Sequence, residues 1–295
     1  MTEKMTIRCD WHIHSQHSPC GKPGTPLALV CDQARRCGLT DFGITDHLND
    51  RKSEPALRRC RQEYDALADR KGFHFGVEVG CLRLRDLEVN DSLGESGSVG
   101  GVQEGGPENG LTLYLPPELL DELKVEYIIG GAHLPLGATM ERDAVIRSYH
   151  RQNLFLAAHP LVDVVAHPWR WMGHWQDEKG RYLTLPWFDD FRVIPRSMHD
   201  EFAAAAVEHG TAVEINAHAC LLNPDYPEGF RAQYREYLAG LKERGVRFSL
   251  GSDSHGPGYT GRIVELEPDL REIGIAQDDL WRPAPVNTFN PAAGR

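Results

Sequence analysis

Short apolar runs alternate along the chain with longer segments in which apolar and polar positions recur at helical spacing. Each run has about the length of a buried strand, is rich in Val, Ile and Phe, and is flanked by Gly, Asp or Asn. Runs of this kind are typical of strands buried inside a domain. We therefore predict seven strands: Thr6–Trp11, Asp41–Thr45, Phe73–Val79, Glu126–Ile129, Val162–Ala166, Thr211–Ile215 and Arg247–Leu250.

Helical patterns lie between these runs. One helix is expected to begin at the Thr25-Pro26 pair, as a cap followed by a first-turn proline, and to close at Gly38. Another is expected to open at a capping box formed by Ser197 and Asp200. The longest amphipathic segments are Glu54–Arg70, Glu141–Ala157 and Phe230–Arg244.

This alternation of strand and helix patterns favours parallel strands closed into an α/β barrel of TIM-barrel-like type. An open, doubly wound sheet is the weaker interpretation, because no GxGxxG turn follows the first predicted strand. The length of 295 residues suits one large domain with a well-buried core, spanning residues 1–295.

Two stretches depart from the alternation. Asn90–Gly110 is rich in Gly, Ser and Glu and nearly free of bulky apolar side chains, which predicts a flexible surface insertion at about 90–110. Trp169–Ile194 carries four tryptophans with little periodicity and is predicted to be a long loop of functional importance. Its tryptophans could form an aromatic wall for an organic leaving group or simply cover the mouth of the barrel.

Composition narrows the classes of function. The 32 basic and 43 acidic residues give a formal net charge of −11, which argues against a protein that coats a nucleic-acid duplex or an anionic membrane. The sequence shows neither the roughly 20-residue apolar run of a membrane span nor the pattern of a signal peptide. The seven cysteines include no CxxC pair, so we expect no disulfide framework and a cytoplasmic location.

Side chains that commonly bind metal ions lie at the C-terminal ends of six of the predicted strands. In a parallel barrel these ends converge on one face, which is where active sites are built. In chain order the side chains are His12 and His14, Asp46 and His47, Glu78, His133, His167, and Asp253 and His255.

The spacing of two of these sets has a direct geometric consequence. His12 and His14 form an HxH pair, and residues i and i+2 of an extended segment point to the same side, so both imidazoles can bind one ion. Asp253 and His255 repeat the spacing near the other end of the chain. Two hydrogen-bonded core histidines would explain an isolated HxH equally well, but they would not explain six separate strand ends.

The motifs DWHIHS, GITDH, GVEVG, GGAH, VVAHP and GSDSH follow one another in this order. Together they resemble the polymerase-and-histidinol-phosphatase (PHP) family of metal-dependent phosphoesterases, over roughly Ile7 to Gly261. The resemblance implies a distorted seven-stranded (β/α)7 barrel that holds two to three divalent metal ions. Mixed imidazole and carboxylate ligands suit zinc, manganese or iron.

The resemblance also implies a ligand set. A first metal would be held by His12, His14, Glu78 and Asp253. A second metal would share Glu78 as a bridge and would also be bound by His133 and His167. A third would be bound by His47 and His255.

One part of the family pattern is altered here. The family's third metal usually takes another His or Asp shortly after the HxH pair, where this chain reads Ser15–Gly21 (SQHSPCG). Cys20 stands near the expected place, and His17 comes three residues sooner. We favour His17 as the additional ligand, because imidazole suits the same metals and Cys20 could pack as a small apolar residue.

The favoured function is a small-molecule phosphatase of the histidinol-phosphatase type. It would hydrolyse the phosphate monoester of a small metabolite by a metal-bridging hydroxide, with Glu78, Asp253 and His255 acting through the metals. The chain carries no attached polymerase module, and the segment after GSDSH also looks like that branch of the family.

Phosphate binding also requires a cation that can donate paired hydrogen bonds. Arg170, three residues beyond His167, is the best-placed candidate, and Arg262 in the loop after His255 is the second; a solvated surface charge is the alternative for both. His218 follows the sixth predicted strand and is a candidate for contact with the substrate, as is Glu214 on that strand.

Other functions fit parts of the same pattern. A phosphodiesterase or nuclease acting on nucleotides or short single strands could use the same metals, although the net charge of −11 argues against long nucleic acids. An amidohydrolase-like enzyme shares the HxH and the late Asp but commonly uses a bridging lysine at the end of strand four, where this chain has Gly131-Ala132-His133. A metal-binding scaffold without turnover is the non-enzymatic alternative.

The expected partner is a small phosphorylated substrate, with no membrane and no long nucleic acid.

Overall fold

Seven parallel strands form the centre of the molecule in the order β1-β2-β3-β6-β7-β8-β9. The computed structural model describes residues 5–83, 110–138, 141–171 and 187–284. The strands are β1 Cys9–Ile13, β2 Asp41–His47, β3 Phe73–Gly80, β4 Leu82–Arg83, β5 Leu111–Thr112, β6 Tyr127–Gly131, β7 Val164–Ala166, β8 Ala212–Asn216 and β9 Phe248–Gly251. The short strands β4 and β5 pair with each other, antiparallel, outside the main sheet.

The sheet curls until its first and last strands meet. The Asp253 amide donates to the His12 carbonyl at 2.8 Å, and the His14 amide donates to the Ser254 carbonyl at 2.9 Å. These bonds join the segment after β9 to β1, so the described strands form a nearly closed barrel. The predicted α/β barrel of TIM-barrel-like type is confirmed.

Helices cover the outside of the barrel between successive strands. Their bounds are α1 Leu27–Arg36, α2 Glu54–Asp65, α3 Pro117–Leu123, α4 Arg142–Ala158, α5 Arg196–His209, α6 Glu228–Glu243 and α7 Glu267–Ile273. Each turns an apolar stripe towards the sheet, as Leu57, Cys60 and Tyr64 of α2 do. A parallel sheet needs such cover because both of its faces are apolar.

The predicted strands agree with the observed ones, whereas several helix ends differ. Both predicted caps are absent: α1 and α5 follow Pro26 and Pro195, with no side-chain cap at either helix. The Thr25 hydroxyl instead accepts a hydrogen bond from the Gly258 amide, which ties the N-terminal loop to the C-terminal one. Helix α2 stops at Asp65, whose carboxylate pairs with Arg70 at 2.7 Å once the chain has turned.

The tryptophans of the predicted 169–194 loop that fall within the described residues are core residues. Trp169, Trp171 and Trp187 are at most 3% exposed, and their rings pack edge to face against one another. Their role is packing beneath the barrel mouth, and the alternative of an aromatic wall around a leaving group does not apply to them. Trp175, like most of the 90–110 insertion, lies outside the described residues.

Within the described parts of the chain, no helix has the length and apolar character that crossing a membrane requires.

Candidate metal centre

The carboxyl ends of the barrel strands bring the predicted ligands together on one face. His12 lies in β1 and His14 directly follows that strand, while His47 ends β2 and Glu78 lies near the end of β3. His133, His167 and Asp253 follow β6, β7 and β9 within two residues. We call these seven residues, with Glu78 at their centre, the Glu78 cluster.

The carboxylate of Glu78 stands between two groups of imidazoles. Its Oε2 atom lies 3.3 Å from His12 Nε2 and 3.3 Å from His14 Nε2. His47 Nδ1 approaches the same oxygen at 3.1 Å. The other oxygen, Oε1, lies 2.9 Å from His133 Nε2 and 3.1 Å from His167 Nε2. The two oxygens therefore face different nitrogen sets, as a carboxylate that bridges two cations requires.

Asp253 is a buried carboxylate that accepts no hydrogen bond from the described residues, although Arg170 Nη1 lies 3.3 Å from its Oδ2. It is 1% exposed, and neither of its oxygens accepts a hydrogen bond within the described residues. His14 Nε2 and His12 Nε2 lie 3.4 Å and 3.5 Å from Oδ1. A buried anion without hydrogen bonds is costly, and a coordinated cation is one of the few ways to compensate it.

Two of the candidate ligands have unusual backbone conformations. His167 and Asp253 adopt φ angles of 29° and 53°, in the left-handed region that residues with side chains rarely occupy. Such strain persists only where the surrounding structure imposes it, and it is concentrated at functional sites. Here it directs both side chains into the Glu78 cluster.

Glu214, on β8, lies behind the cluster. Its Oε1 accepts a hydrogen bond from His12 Nδ1 at 2.7 Å, and its Oε2 accepts one from the His167 amide at 2.7 Å. This arrangement fixes the proton of His12 on Nδ1 and directs the free Nε2 into the cluster, as outer carboxylates commonly do for metal-binding histidines. A Cβ on Gly251 would lie 1.8 Å from Glu214 Oε1, so only glycine leaves room for this carboxylate. Glu214 is therefore an orienting residue and not the substrate contact that the sequence suggested.

The charges of the cluster balance one another. Burial would raise the pKa of Glu78, but His47, His12 and His133 outweigh it and hold that pKa well below its usual value. Burial would lower the pKa of His12, but Glu214, Glu78 and Asp253 raise it well above normal. Protons on His12 and His14 thus occupy the place that cations would take, and bound cations would release them, whereas burial lowers the pKa of His133 to about 4.

The structure separates the two candidates for the additional ligand. His17 Nε2 lies 2.6 Å from Glu63 Oε2 on α2, so its ring faces that helix. Cys20 shares a group with His14 and His255 in which the potential ligand atoms all lie within 4.8 Å of one another. Burial raises the pKa of the Cys20 thiol, but hydrogen bonds to His14, His255 and His47 lower it to about 3. The structure brings Cys20, and not His17, to these imidazoles.

Asp46, which precedes His47 in β2, orients the segment after the HxH pair. Its Oδ1 accepts a hydrogen bond from the Ser15 amide at 2.7 Å, and its other oxygen accepts one from the Ser15 hydroxyl. It also lies 4.0 Å from His14 Nδ1. Asp46 therefore supports His14 from behind. The sequence could have indicated this supporting role, because Asp46 precedes His47 in the GITDH motif and neighbouring residues of a strand point to opposite faces.

Of the other three predicted substrate contacts, Arg170 is next to the cluster. Its Nη1 lies 3.3 Å from Asp253 Oδ2 and 3.5 Å from His167 Nε2, with 18% of the side chain exposed. Burial lowers the pKa of this guanidinium, but Asp253 and Glu78 outweigh that effect and raise it. Arg170 is thus a permanent positive charge with an exposed edge beside the candidate ligands.

His218 and Arg262 lie farther out on the rim. His218 is exposed on a short π-helical turn, Ala217–Leu221, and its ring centroid is 6.0 Å from that of His255. Arg262 donates to the Leu222 carbonyl at 3.2 Å and borders a cavity of about 390 Å³. His218 thus lies beside His255, whereas none of the residues that line the cavity at Arg262 belongs to the Glu78 cluster.

The donor set fits two divalent cations. His12, His14, Asp253 and Glu78 Oε2 offer two imidazoles and two carboxylates to one position, and His133, His167 and Glu78 Oε1 offer a second set. Three protein ligands with an open position are the usual composition of a catalytic site of this kind. The buried and unsatisfied Asp253 is the observation that favours a cation most directly.

Comparisons with known proteins agree with this fold. The chain is 24% identical to a curated protein of Enterobacter sp. (strain 638) named a probable phosphatase, over 94% of this chain and 90% of that protein. It is also similar to a crystal structure of a Listeria monocytogenes protein that is provisionally named a histidinol phosphatase. That likeness has a TM-score of 0.54 and 13% identity, covering 84% of this chain and 95% of the other. No protein-family model matches the sequence.

Proposed function

We propose that this protein is a metal-dependent phosphoesterase of the PHP type, which hydrolyses the phosphate monoester of a small metabolite. The observation that carries the proposal is the Glu78 carboxylate, whose two oxygens face two separate sets of imidazoles. The names of the two similar proteins support a phosphatase, and the motif order supports the family. Zinc, manganese and iron all suit these ligands.

Divalent cations held by the Glu78 cluster would supply an activated water and would stabilise the charge that develops on the phosphoryl oxygens. One cation would be held by His12, His14, Asp253 and Glu78, and the other by Glu78, His133 and His167. Each of these side chains is buried or nearly so, which keeps competing solvent out of the site.

The remaining residues position the reactants. Glu214 holds the proton on His12 Nδ1, so that Nε2 keeps its lone pair for binding. Arg170 would bind non-bridging oxygens of the phosphoryl group through paired N–H donors, in exchange for its present contact with Asp253. His218 and Arg262 would contact the leaving group at the rim.

A panel of substrates tests the proposed reaction. Purified protein with added manganese or zinc would be offered p-nitrophenyl phosphate, bis-p-nitrophenyl phosphate, a short single-stranded oligonucleotide and an N-acyl amino acid. We expect hydrolysis of the monoester to be fastest, measured as released phosphate. Turnover of the diesters alone would indicate a phosphodiesterase or nuclease, and turnover of the amide alone would indicate an amidohydrolase. A library of phosphorylated metabolites would then identify the substrate.

Substitution of Arg170 tests its role in phosphate binding. We expect Arg170→Ala to lower kcat/KM for the monoester by roughly 100-fold, the scale found for loss of one preorganised donor to a developing charge. Arg170→Lys should recover only part of this, because an ammonium cannot make the paired bonds of a guanidinium.

Arg192→Ala is a matched control, since Arg192 is 68% exposed and pairs with Glu236 on the outside of the barrel. We would measure kcat/KM and bound metal for the three variants. The metal content should be the same in all of them. Equal kcat/KM in Arg170→Ala and Arg192→Ala would contradict the assignment.

A further inference from the structure

Cys20 is held in a tight turn that follows β1. The Ser18 amide donates to the Ser15 carbonyl at 3.2 Å, and the Gly21 amide donates to the Ser18 carbonyl at 2.9 Å. A Cβ on Gly21 would lie 1.9 Å from the Ser15 oxygen, so the turn closes this tightly only with glycine after Cys20. The backbone of Cys20 is therefore fixed by the turn, and its thiol lies 3.1 Å from the Ser18 hydroxyl.

The same turn is bonded to the loop that carries His255. The Lys22 amide donates to the His255 carbonyl at 3.2 Å. His255 in turn donates from Nδ1 to the Asp253 carbonyl at 2.7 Å. This bond leaves Nε2 of His255 free as a ligand atom, in the manner of backbone-oriented metal-binding histidines.

The imidazoles of His14 and His255 lie beside the thiol, and that of His47 stacks against His14. His14 stacks between His255 and His47, with ring centroids 4.5 Å and 4.8 Å away. Cys20 Sγ shares with His14 and His255 a group of potential ligand atoms that all lie within 4.8 Å of one another, and it lies 3.1 Å from the Ser18 hydroxyl. His14 Nε2 faces Glu78 and Asp253, and His47 Nδ1 faces Glu78 Oε2, so His47 would bind a further ion through its Nε2 atom, together with His255.

A second observation also points to a ligand in this space. The buried Nδ1 atom of His47 has no hydrogen-bond partner among the described residues, and Asp253 Oδ1, already assigned to the first position, lies 3.6 Å from His255 Nδ1. Cys20 differs from the other thiols because it is exposed, whereas Cys37 is half-buried and Cys9, Cys31, Cys60, Cys81 and Cys220 are buried. Its surroundings are polar and not those of a packed apolar side chain.

We propose that Cys20 is a thiolate ligand of a separate third cation position, completed by His47 and His255, and that this position selects a zinc-type cation. The inference rests on the proposed metal centre and extends it. Thiolate and imidazole ligands favour zinc or cobalt, whereas carboxylate-rich positions also accept manganese. The third position would therefore differ in metal preference from the two at Glu78.

Cobalt substitution provides a readout that does not depend on turnover. The chelated protein would be titrated with Co²⁺ while its absorption spectrum and bound metal are measured. We expect a sulfur-to-cobalt charge-transfer band in the near ultraviolet, which a site made of imidazoles and carboxylates cannot produce. Titration with Mn²⁺ should fill fewer positions than titration with Zn²⁺.

Three variants test whether Cys20 is the source of the charge-transfer band. Cys20→Ser should lose the band. Its affinity for the third equivalent of metal should fall by more than the roughly 10- to 100-fold that results from loss of an outer-shell partner. Cys20→His should bind the third equivalent again but without the band. Cys37→Ser, which changes the other accessible thiol, should keep both.

Thiol alkylation tests the proposal in the unaltered protein. Zinc should protect Cys20 from iodoacetamide, whereas manganese should protect it less and Cys37 should react equally in all samples; peptide mass spectrometry measures each site. The absence of a charge-transfer band, or equal alkylation of Cys20 with and without zinc, would overturn the proposal. A protein that shows the band but hydrolyses no phosphate ester would refute the proposed function and leave this inference standing.

Discussion

Replacement of Glu78 by glutamine is expected to abolish hydrolysis of phosphomonoesters. The change keeps the size of the side chain but removes the charge that five imidazoles share. An amide can bind one cation weakly and cannot bridge two, so both positions at Glu78 should be lost. We expect kcat to fall by about 1,000-fold or more, since the loss exceeds removal of a single preorganised donor. Metal content, measured by mass spectrometry, should fall in parallel.

Glu126→Gln is the matched control for this substitution. Glu126 also binds an imidazole, with its Oε2 2.7 Å from His74 Nδ1, but it lies at the N-terminal end of the barrel strands. This variant should keep its metal and its activity. A Glu78→Gln protein that folds, as judged by circular dichroism, and still binds two metal ions would refute the bridging role.

Removal of bound metal is expected to lower the thermal stability of the protein markedly. A ligand that binds only the folded state at 1,000 times its Kd contributes about 4 kcal/mol to the free energy of unfolding. For a chain of this size, each kcal/mol shifts Tm by roughly 2–4 °C, so a chelator should lower Tm by roughly 8–16 °C. Scanning calorimetry with and without chelator would measure the shift, and added zinc should reverse it.

The stabilisation should also depend on pH in a definite direction. In the metal-free protein, the pKa values of His12 and His14 are raised by neighbouring acidic groups despite the opposing effect of burial, so these rings hold protons that cations must displace. Metal binding therefore releases protons, and the metal-dependent part of Tm should grow as pH rises. The Glu78→Gln variant should show little change in Tm with chelator. Equal Tm values for the wild type with and without chelator, at every pH, would contradict the prediction.

The strand ends and their ligands could be predicted from the sequence, because each of these predictions depends only on a local run of residues. An apolar run identifies β3, and the position of Glu78 near its end follows from the run alone. Parallel topology then brings this carboxylate to the same face as His133 and His167. No distance information was needed, since a barrel has only one rim at the carboxyl ends of its strands.

Contacts across the barrel could not be predicted in the same way. Glu214 reaches His12 only because of the register between strands and the space that Gly251 leaves. The choice between His17 and Cys20 depends on a turn whose course is set by the clash that any side chain at Gly21 would create. Such features depend on steric contacts between residues that are distant in the sequence, and a sequence pattern does not contain this information.

The hydrogen bonds between β1 and the segment after β9 have a consequence for how the site is assembled. His12 and Asp253 come from opposite ends of the polypeptide, yet they would grip the same ion. A nascent chain on the ribosome therefore has only part of this ligand set until the segment after β9 has emerged. With an ion bound by both residues, separation of β1 from the segment after β9 would also require loss of the ion, so the candidate metal centre would stabilise the closure of the barrel.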